Sequence, residues 1–597
     1  MRFPGTRIIA AAACTALLAS AWQREARAAD AAQLTDHQKV VHVLNRLAFG
    51  PRPGDVERVE AMGLEAYIHQ QLHPESIEDA KADKALAGLD TLQMSSSHLM
   101  DGYYDDIRRF LQQQMAEGNA QDMKMRYGID ASRYNKGGPA TKPAPPTPQD
   151  LAQRDALRCI GELQKGKIVR AVLSERQLDE VLVDFWSNHF NIDIRKNACR
   201  ALKTADDRDA IRPHVLGKFR DLLGASAHSP AMLAYLDNNE NAAVRQRGKF
   251  ETFVAETFVS YKFGMNARGM IPATEGPNEN YGREILELHT LGVDGGYTQK
   301  DVQEVARCFT GWTFNFLTGN FNFESNRHDR GEKLVLGHVI PAGGGIEDGQ
   351  KVLDILASHP ATSHFIARKL CQRFVSDDPP AELVERVAGV FRDTDGDLRR
   401  VVEAIVTSDE FFSPAAFRAK IKSPFEYAVS AVRATSGTFV DPPTPLMRKL
   451  KGTIEGVGTM GYEGNKLSAD KHKSVNWWIH DMGEPLFAFT APTGYPERSS
   501  RWVNPGALIE RLNFALALTQ ENVGDVRIDP GKLVGEVDTD QPQRVLDRLA
   551  ESIVHGPLSD STRKSLVHNA LPTGEGKTVD VPKLTALILG SPEFQRR

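Results

Sequence analysis

Between Asn278 and Trp312 the chain sets Glu284, Glu287, His289, Asp301 and Glu304 into two apolar helical repeats joined by Val-Asp-Gly-Gly. Carboxylates and an imidazole in such surroundings are the groups used by acid–base and metal chemistry. Glu284, Glu287 and His289 are therefore the candidate catalytic residues. The 100° step of a helix puts the two glutamates about 60° apart on one face and His289 roughly 140° from Glu284. A regular helix does not make these three the ligands of one ion. The Glu-x-x-His signature of di-iron bundles is absent too, because the residue three after Glu284 is Glu287. Glu284 with Glu287, and Asp301 with Glu304, could instead form two carboxylate pairs facing each other across the turn. A structural reading stands beside this one: Arg283 with Glu287 and Glu304 with Arg307 have ion-pair spacing, and Asp301 completes a capping box with Thr298.

A second polar group lies in FWSNHFNI, Phe185 to Ile192. Polar side chains taken out of water need partners, so Asn188, His189 and Asn191 belong either to a satisfied core network or to a site. Asn188, Asn191 and Trp312 are candidate ligand-binding residues. His189, His289 and His328, with Asp329, could together hold a divalent metal such as Zn²⁺ or Fe²⁺, although no H-x-H or H-E-x-x-H spacing supports them. The economical arrangement brings FWSNHFNI against the 278–312 hairpin, with His189 near Glu284 or His289.

The elements that must position these groups read as helices. Val40, Val41, Val43, Leu44 and Leu47 form a stripe near the N-terminus, and Asn45 and Arg46 beside it could line a site or cap a neighbouring element, the structural role being favoured. The spacing predicts a mainly α, large multi-lobe protein, with strand confined to a small β-hairpin near residues 314–340 and His328 on its loop. Residues 114–149 are rich in Pro and Gly and read as a flexible insertion. The organisation is then a leader over 1–28, an N-terminal helical lobe over 29–113, the insertion, a central helical body over 150–436 and a C-terminal helical lobe over 437–597. The aromatic, proline-rich stretch from Trp477 to Trp502 serves either as a sugar or aromatic-ligand platform or as cover for the core.

Arg2 and Arg7 precede an apolar run and an Ala26-Arg27-Ala28 cleavage site, the order of a signal peptide, so the mature protein is expected in the periplasm or outside the cell. No later stretch is long and apolar enough for a membrane span. A net charge of -5 gives no basic footprint for nucleic acid. Cys159, Cys199, Cys308 and Cys371 lack C-x-x-C spacing; in an oxidising compartment they are compatible with one or two disulfides or with buried thiols, the latter favoured for Cys308. Neither a G-x-S-x-G elbow nor a phosphate loop is present, and Asp393–Asp397 reads as a turn and helix cap rather than a calcium loop.

The 278–312 stretch and FWSNHFNI, with LNRLAFGP from Leu44, HPATSHFIARKL from His359, TSDEFF from Thr407 and MGEPLF from Met482, resemble a bacterial family catalogued as domain of unknown function 1800. The resemblance covers nearly the whole mature chain. It implies an exported helical protein, often encoded beside a partner family of unknown function, and no established reaction. The family's MGQPLF pattern has Gln where this chain has Glu484, so a role for that amide does not carry over. Two functions follow as expectations: an exported enzyme, with a divalent metal as its candidate cofactor, built on FWSNHFNI and the 278–312 hairpin, or a non-catalytic binding or assembly protein for an exported partner or envelope polymer.

Overall fold

The computed structural model describes residues 33–101, 148–196, 198–246, 269–271, 274–315, 318–440, 473–572 and 577–597, with isolated positions between 248 and 257. The expected leader lies outside these residues, as does the 114–149 insertion except for positions 148 and 149, which open the Pro148–Leu173 helix.

Helix dominates, and the local chemistry explains where helices start. Thr35 and Gln38 close a capping box at the head of the Asp36–Arg46 helix, whose buried stripe includes Val40, Val41, Val43 and Leu44. Ser423 and Glu426 do the same for Pro424–Ala434. Every residue of that helix is buried, so it runs through the core rather than over it. One apolar cluster extends from Val40 to Phe594 and joins the described parts of the chain. Buried arginines stitch distant segments to it: Arg46 donates to the carbonyls of Val375 and Ala416, and Arg433 to those of Gly50 and Val172. Asn45 caps nothing distant; its amide donates to Val41 O one turn back.

The 278–312 stretch is a helical hairpin, as its pattern predicts. Asn278 caps the first helix, Glu279–Leu286, and Thr298 with Asp301 boxes the second, Gln299–Cys308. Gly282 sets their approach: a Cβ there would lie 2.9 Å from Val302 O and 3.0 Å from Ala306 N, so any side chain would push the helices apart. The first helix departs from regularity at its end. Glu287–Leu291 is a π turn, closed by Gly292 N donating to Glu287 O, and Thr290 Oγ1 donates back to Ile285 O. Gly292, at φ 80°, then reverses the chain against the Phe365 ring.

Strand is minor but more divided than expected. The 314–340 region forms two antiparallel hairpins rather than one, Trp312–Phe314 with Phe321–Phe323 and Lys333–Val335 with His338–Ile340. Two-residue ladders also pair Arg245–Gln246 with Thr274–Glu275 and Thr438–Phe439 with Val526–Arg527. Asp397 caps the Leu398–Val406 helix through Arg400 N, in line with its reading as a cap. All four described cysteines are buried free thiols. Among the described residues no helix is long and apolar enough to cross a membrane.

Candidate functional site

FWSNHFNI ends the Gln177–His189 helix, and this end is where it meets the hairpin. His189 is 2% exposed, its Nε2 lies 3.1 Å from the main-chain O of His289, and its Nδ1 lies 2.9 Å from Lys369 Nζ. A carbonyl oxygen only accepts, so Nε2 carries the proton; Nδ1 of the neutral ring then accepts from Lys369. Burial, with Lys369 and His289 nearby, holds the His189 imidazole well below its ordinary range. Burial and then Lys369 push His289 down to about 3. Lys369 itself is lowered to about 8, burial outweighing the attraction of Glu497. The two imidazoles are therefore neutral near pH 7. They meet through a backbone carbonyl with ring centroids 6.3 Å apart, not ring to ring on a shared ion.

The third expected ligand is engaged elsewhere. His328 Nδ1 lies 2.8 Å from Thr310 O, and Nε2 lies 3.1 Å from Asp348 Oδ2, which also binds Lys333 Nζ. Both ring nitrogens are thus engaged at the base of the β-hairpins. Among the described residues no three His, Cys, Asp or Glu side chains come together as metal ligands, so the donor set of His189, His289 and His328 does not fit a divalent ion.

The carboxylates of the hairpin also separate. Glu284 is half-buried, and burial and then Glu287 raise its pKa. Glu287 accepts from Tyr297 OH rather than pairing with Arg283, which bonds Glu279 and Gln299. Asp301 and Glu304 turn toward the β-hairpin, accepting from Leu336 N and Leu334 N; Glu304 keeps its predicted pair with Arg307 at 2.7 Å. The expected face-to-face carboxylate arrangement is replaced by these separate bonds. Trp312, expected to bind ligand, is a fully buried core ring packed on Phe309, Phe321 and His228, with Gly349 against its indole. Asn188 and Asn191 act as clamps. Asn188 donates to Tyr495 O and accepts from Tyr495 N, and Asn191 donates to Phe489 O and Ala491 O. Their amides hold the irregular part of the Trp477–Trp502 stretch, between the Val475–Asp481 helix and the Ser499–Trp502 turn, against the helix, and Gly494 is required there because a Cβ would lie 2.2 Å from Asn188 O.

That clamping creates a cleft lined in part by the expected ligand-binding residues Asn188 and Asn191, with a charged network that the sequence expectations did not contain. It has a volume of about 50 Å³, and its wall includes Asp184, Ser187, Asn188 and Asn191 from the FWSNHFNI helix and Glu484 and Leu486 from MGEPLF, with Tyr495 and Trp502 beyond. Arg373, one turn past Lys369 on the Pro360–Phe374 helix, reaches Asp184 at 3.1 Å, Glu426 at 3.0 Å and Glu497 at 3.6 Å. Lys167 pairs with Asp184 at 2.7 Å, and Arg597 with Glu426 at 3.0 Å. Burial would raise Glu426, but Arg597 and Arg373 overcome it and hold the carboxyl at about 2. Glu484 goes the other way. It is 8% exposed, and burial and then Asp184 push it up to about 8 against the main-chain bond from Phe425 N, the Ser423 side chain and the Lys167 charge. At neutral pH the cleft therefore offers a protonated carboxyl beside ionised ones, the division of labour that general acid–base chemistry requires. The signal for this cleft lay in charges placed inside apolar helical runs, Asp184 in VLVDFW and Glu426 in PFEYAV.

No curated protein and no solved structure matches this chain. Apart from Arg597, the residues that wall the cleft and the His189 junction fall within 42–596, the span matched by the family described as a protein of unknown function, DUF1800, and the chain belongs to that family.

Proposed function

We propose that the protein is an enzyme that moves a proton to or from a small polar substrate in the charged cleft, with Glu484 as the acid and Asp184, paired with Lys167 and Arg373, as its neighbour. The observation that carries this reading is the position of Glu484: a buried carboxyl in the wall of a cavity to which the FWSNHFNI helix, the Pro360–Phe374 helix and the 485–502 segment each contribute polar groups. Arg373 and Lys167 hold Asp184 in ion pairs, whereas burial favours the protonated form of Glu484. Tyr495 and Trp502 give the same wall an aromatic surface suited to the apolar face of a sugar or ring. The chemistry assigned to Glu284, Glu287 and His289 moves with this reading to the cleft.

The test has two arms. Small polar and saccharide compounds are screened by their effect on melting, and each binder is then assayed for conversion with wild type and Glu484→Gln. The reading expects Glu484→Gln to bind and fold as wild type does while losing turnover; a variant that turns over normally overturns it. The export expected from Arg2 to Ala28 belongs to the proposal as well, and N-terminal sequencing of protein recovered outside the cytoplasm checks it.

A second reading, a non-catalytic assembly protein for an exported partner, is favoured by one specific observation: both ends of the Asn188 amide and the NH2 of Asn191 are engaged with the chain's own backbone. Co-purification of a stoichiometric partner, with no small-molecule binder found, would favour it.

A further inference from the structure

The last residues of the chain pair with residues 420–422. Lys420 N donates to Arg597 O, Arg597 N to Lys420 O, and Lys422 N to Gln595 O, with a bridge at Ile421 and Arg596. Lys420 and Arg597 line the charged cleft, whereas Lys422 and Arg596 line a second, smaller cavity together with Arg418, His555 and Glu593. This cavity of about 10 Å³ is partly open to solvent and has room for one group the size of a water oxygen.

The hydrogen bonds of Arg418 and Lys422 differ from those of the cleft cations. Arg418 donates to Val554 O at 3.0 Å, and Lys422, 3% exposed, donates to Ser430 Oγ at 2.8 Å and Phe594 O at 2.7 Å. These acceptors are neutral. The one carboxylate in the wall, Glu593, accepts from Ser559 N and Thr562 Oγ1. A buried cation held by neutral oxygens is costly until an anion joins it. Consistently, burial lowers Lys422 to about 7, and the Arg418 and Arg597 charges add to the shift against the pull of Glu426.

Two further observations point into the same cavity. His555 is 8% exposed, and its Nε2 has no partner within the protein. His555 and Arg418 also both adopt left-handed backbone, at φ 51° and 52°, a conformation that side chains other than glycine take up rarely and that clusters at binding sites. Neither sits there for want of a polar role: both place a donor-bearing side chain on one wall.

We propose that this cavity is a binding site for a small oxyanion, a phosphate or carboxylate group, one of whose oxygens enters between Arg418, Lys422 and Arg596 while His555 Nε2–H donates to it. The site is separate from the cleft and does not depend on the chemistry proposed there.

The full mature chain, titrated with inorganic phosphate or with acetate at ionic strength held constant by sodium chloride, reads the proposal through its melting temperature and by calorimetry. Saturable stabilisation by one or both anions is expected, and the better of the two names the group. Arg418→Gln and Arg596→Gln should each weaken that binding roughly ten- to a hundredfold. Arg596 is partly exposed, so its variant keeps the test open if Arg418→Gln does not fold. The proposal is overturned if neither anion gives a saturable effect, if chloride reproduces it, or if both folded variants bind with wild-type affinity.

Discussion

In the larger cleft Arg373 reaches three carboxylates, while across the 420–422 bridge the ammonium of Lys422 meets a hydroxyl and a main-chain carbonyl. Both cations are buried to a similar degree, at 4% and 3% exposure. The difference lies in where the compensation comes from. In the cleft it is built into the chain, so the charges lock the FWSNHFNI helix, the Pro360–Phe374 helix and the C-terminal residue to one another. In the smaller cavity the chain supplies only part of it, and the remainder is left for a ligand. Burial of charge alone thus does not mark an anion site; burial without a full counter-charge points to one.

The comparison breaks most directly at Arg373. Arg373→Met removes the cation shared by Asp184, Glu426 and Glu497 and leaves buried carboxylates with fewer partners, which should cost about 3–5 kcal/mol in chemical denaturation. Lys422→Met in phosphate-free buffer strands no carboxylate, and its cost should stay near 1 kcal/mol, that of the lost hydrogen bonds. Equal costs at the two positions would erase the distinction drawn between the cavities.

How much of this the sequence displayed depends on the period of the signal. Capping boxes and apolar stripes are local, and the Thr298–Asp301 box, the Asp397 cap and the buried faces of both hairpin helices sit where the pattern places them. The meeting of His189 with the hairpin was legible because both stretches carry polar groups that need partners, and His289 supplies one through its carbonyl. What failed was inference about side-chain direction. The Glu287–Leu291 π turn changes which way the end of the helix points, and nothing in the 3.6-residue period announces it. His328 carried the residue type of a ligand, but its partners Thr310 and Asp348 lie on elements whose adjacency only the fold provides. The cleft was illegible for the same reason: Asp184, Arg373 and Glu426 are each one charge in an apolar helix, and they become a network by packing.

His189→Ala asks whether the junction is chiefly structural. It strands the Lys369 ammonium and the His289 carbonyl together, and a loss of about 1–3 kcal/mol is expected in thermal or chemical melts. A variant as stable as wild type would show instead that the contact contributes little to the fold and is kept for function.

Glu484 gives the cleft a pH signature. Its folded-state pKa of about 8 lies above the ordinary glutamate value, so in the folded protein it holds a proton that the unfolded chain releases. The stability this supplies is complete below about pH 4.5, declines as pH rises and is lost above about 8, with a slope of up to ~1.4 kcal/mol per pH unit. The difference between wild-type and Glu484→Gln melting should therefore change with pH across that window. A difference constant from pH 5 to pH 8 would place an ionised carboxylate in the cleft and remove the acid from the proposed mechanism.

The smallest effect is expected at Glu284, the residue that helical spacing first singled out. It is half-buried on the outer turn of its helix, and burial and Glu287, which raise its pKa, act on a side chain that water still reaches. Solvent screens such a group, so Glu284→Gln should move stability by no more than about 0.5 kcal/mol in either direction. Relief of repulsion from Glu287 makes a slight gain the expected sign. In an activity assay found through the cleft, the same variant should turn over at the wild-type rate, because Glu284 is absent from the cleft wall while Glu484 is part of it. A large loss of turnover at Glu284 with Glu484→Gln unaffected would return the chemistry to the hairpin and leave the cleft as a structural brace.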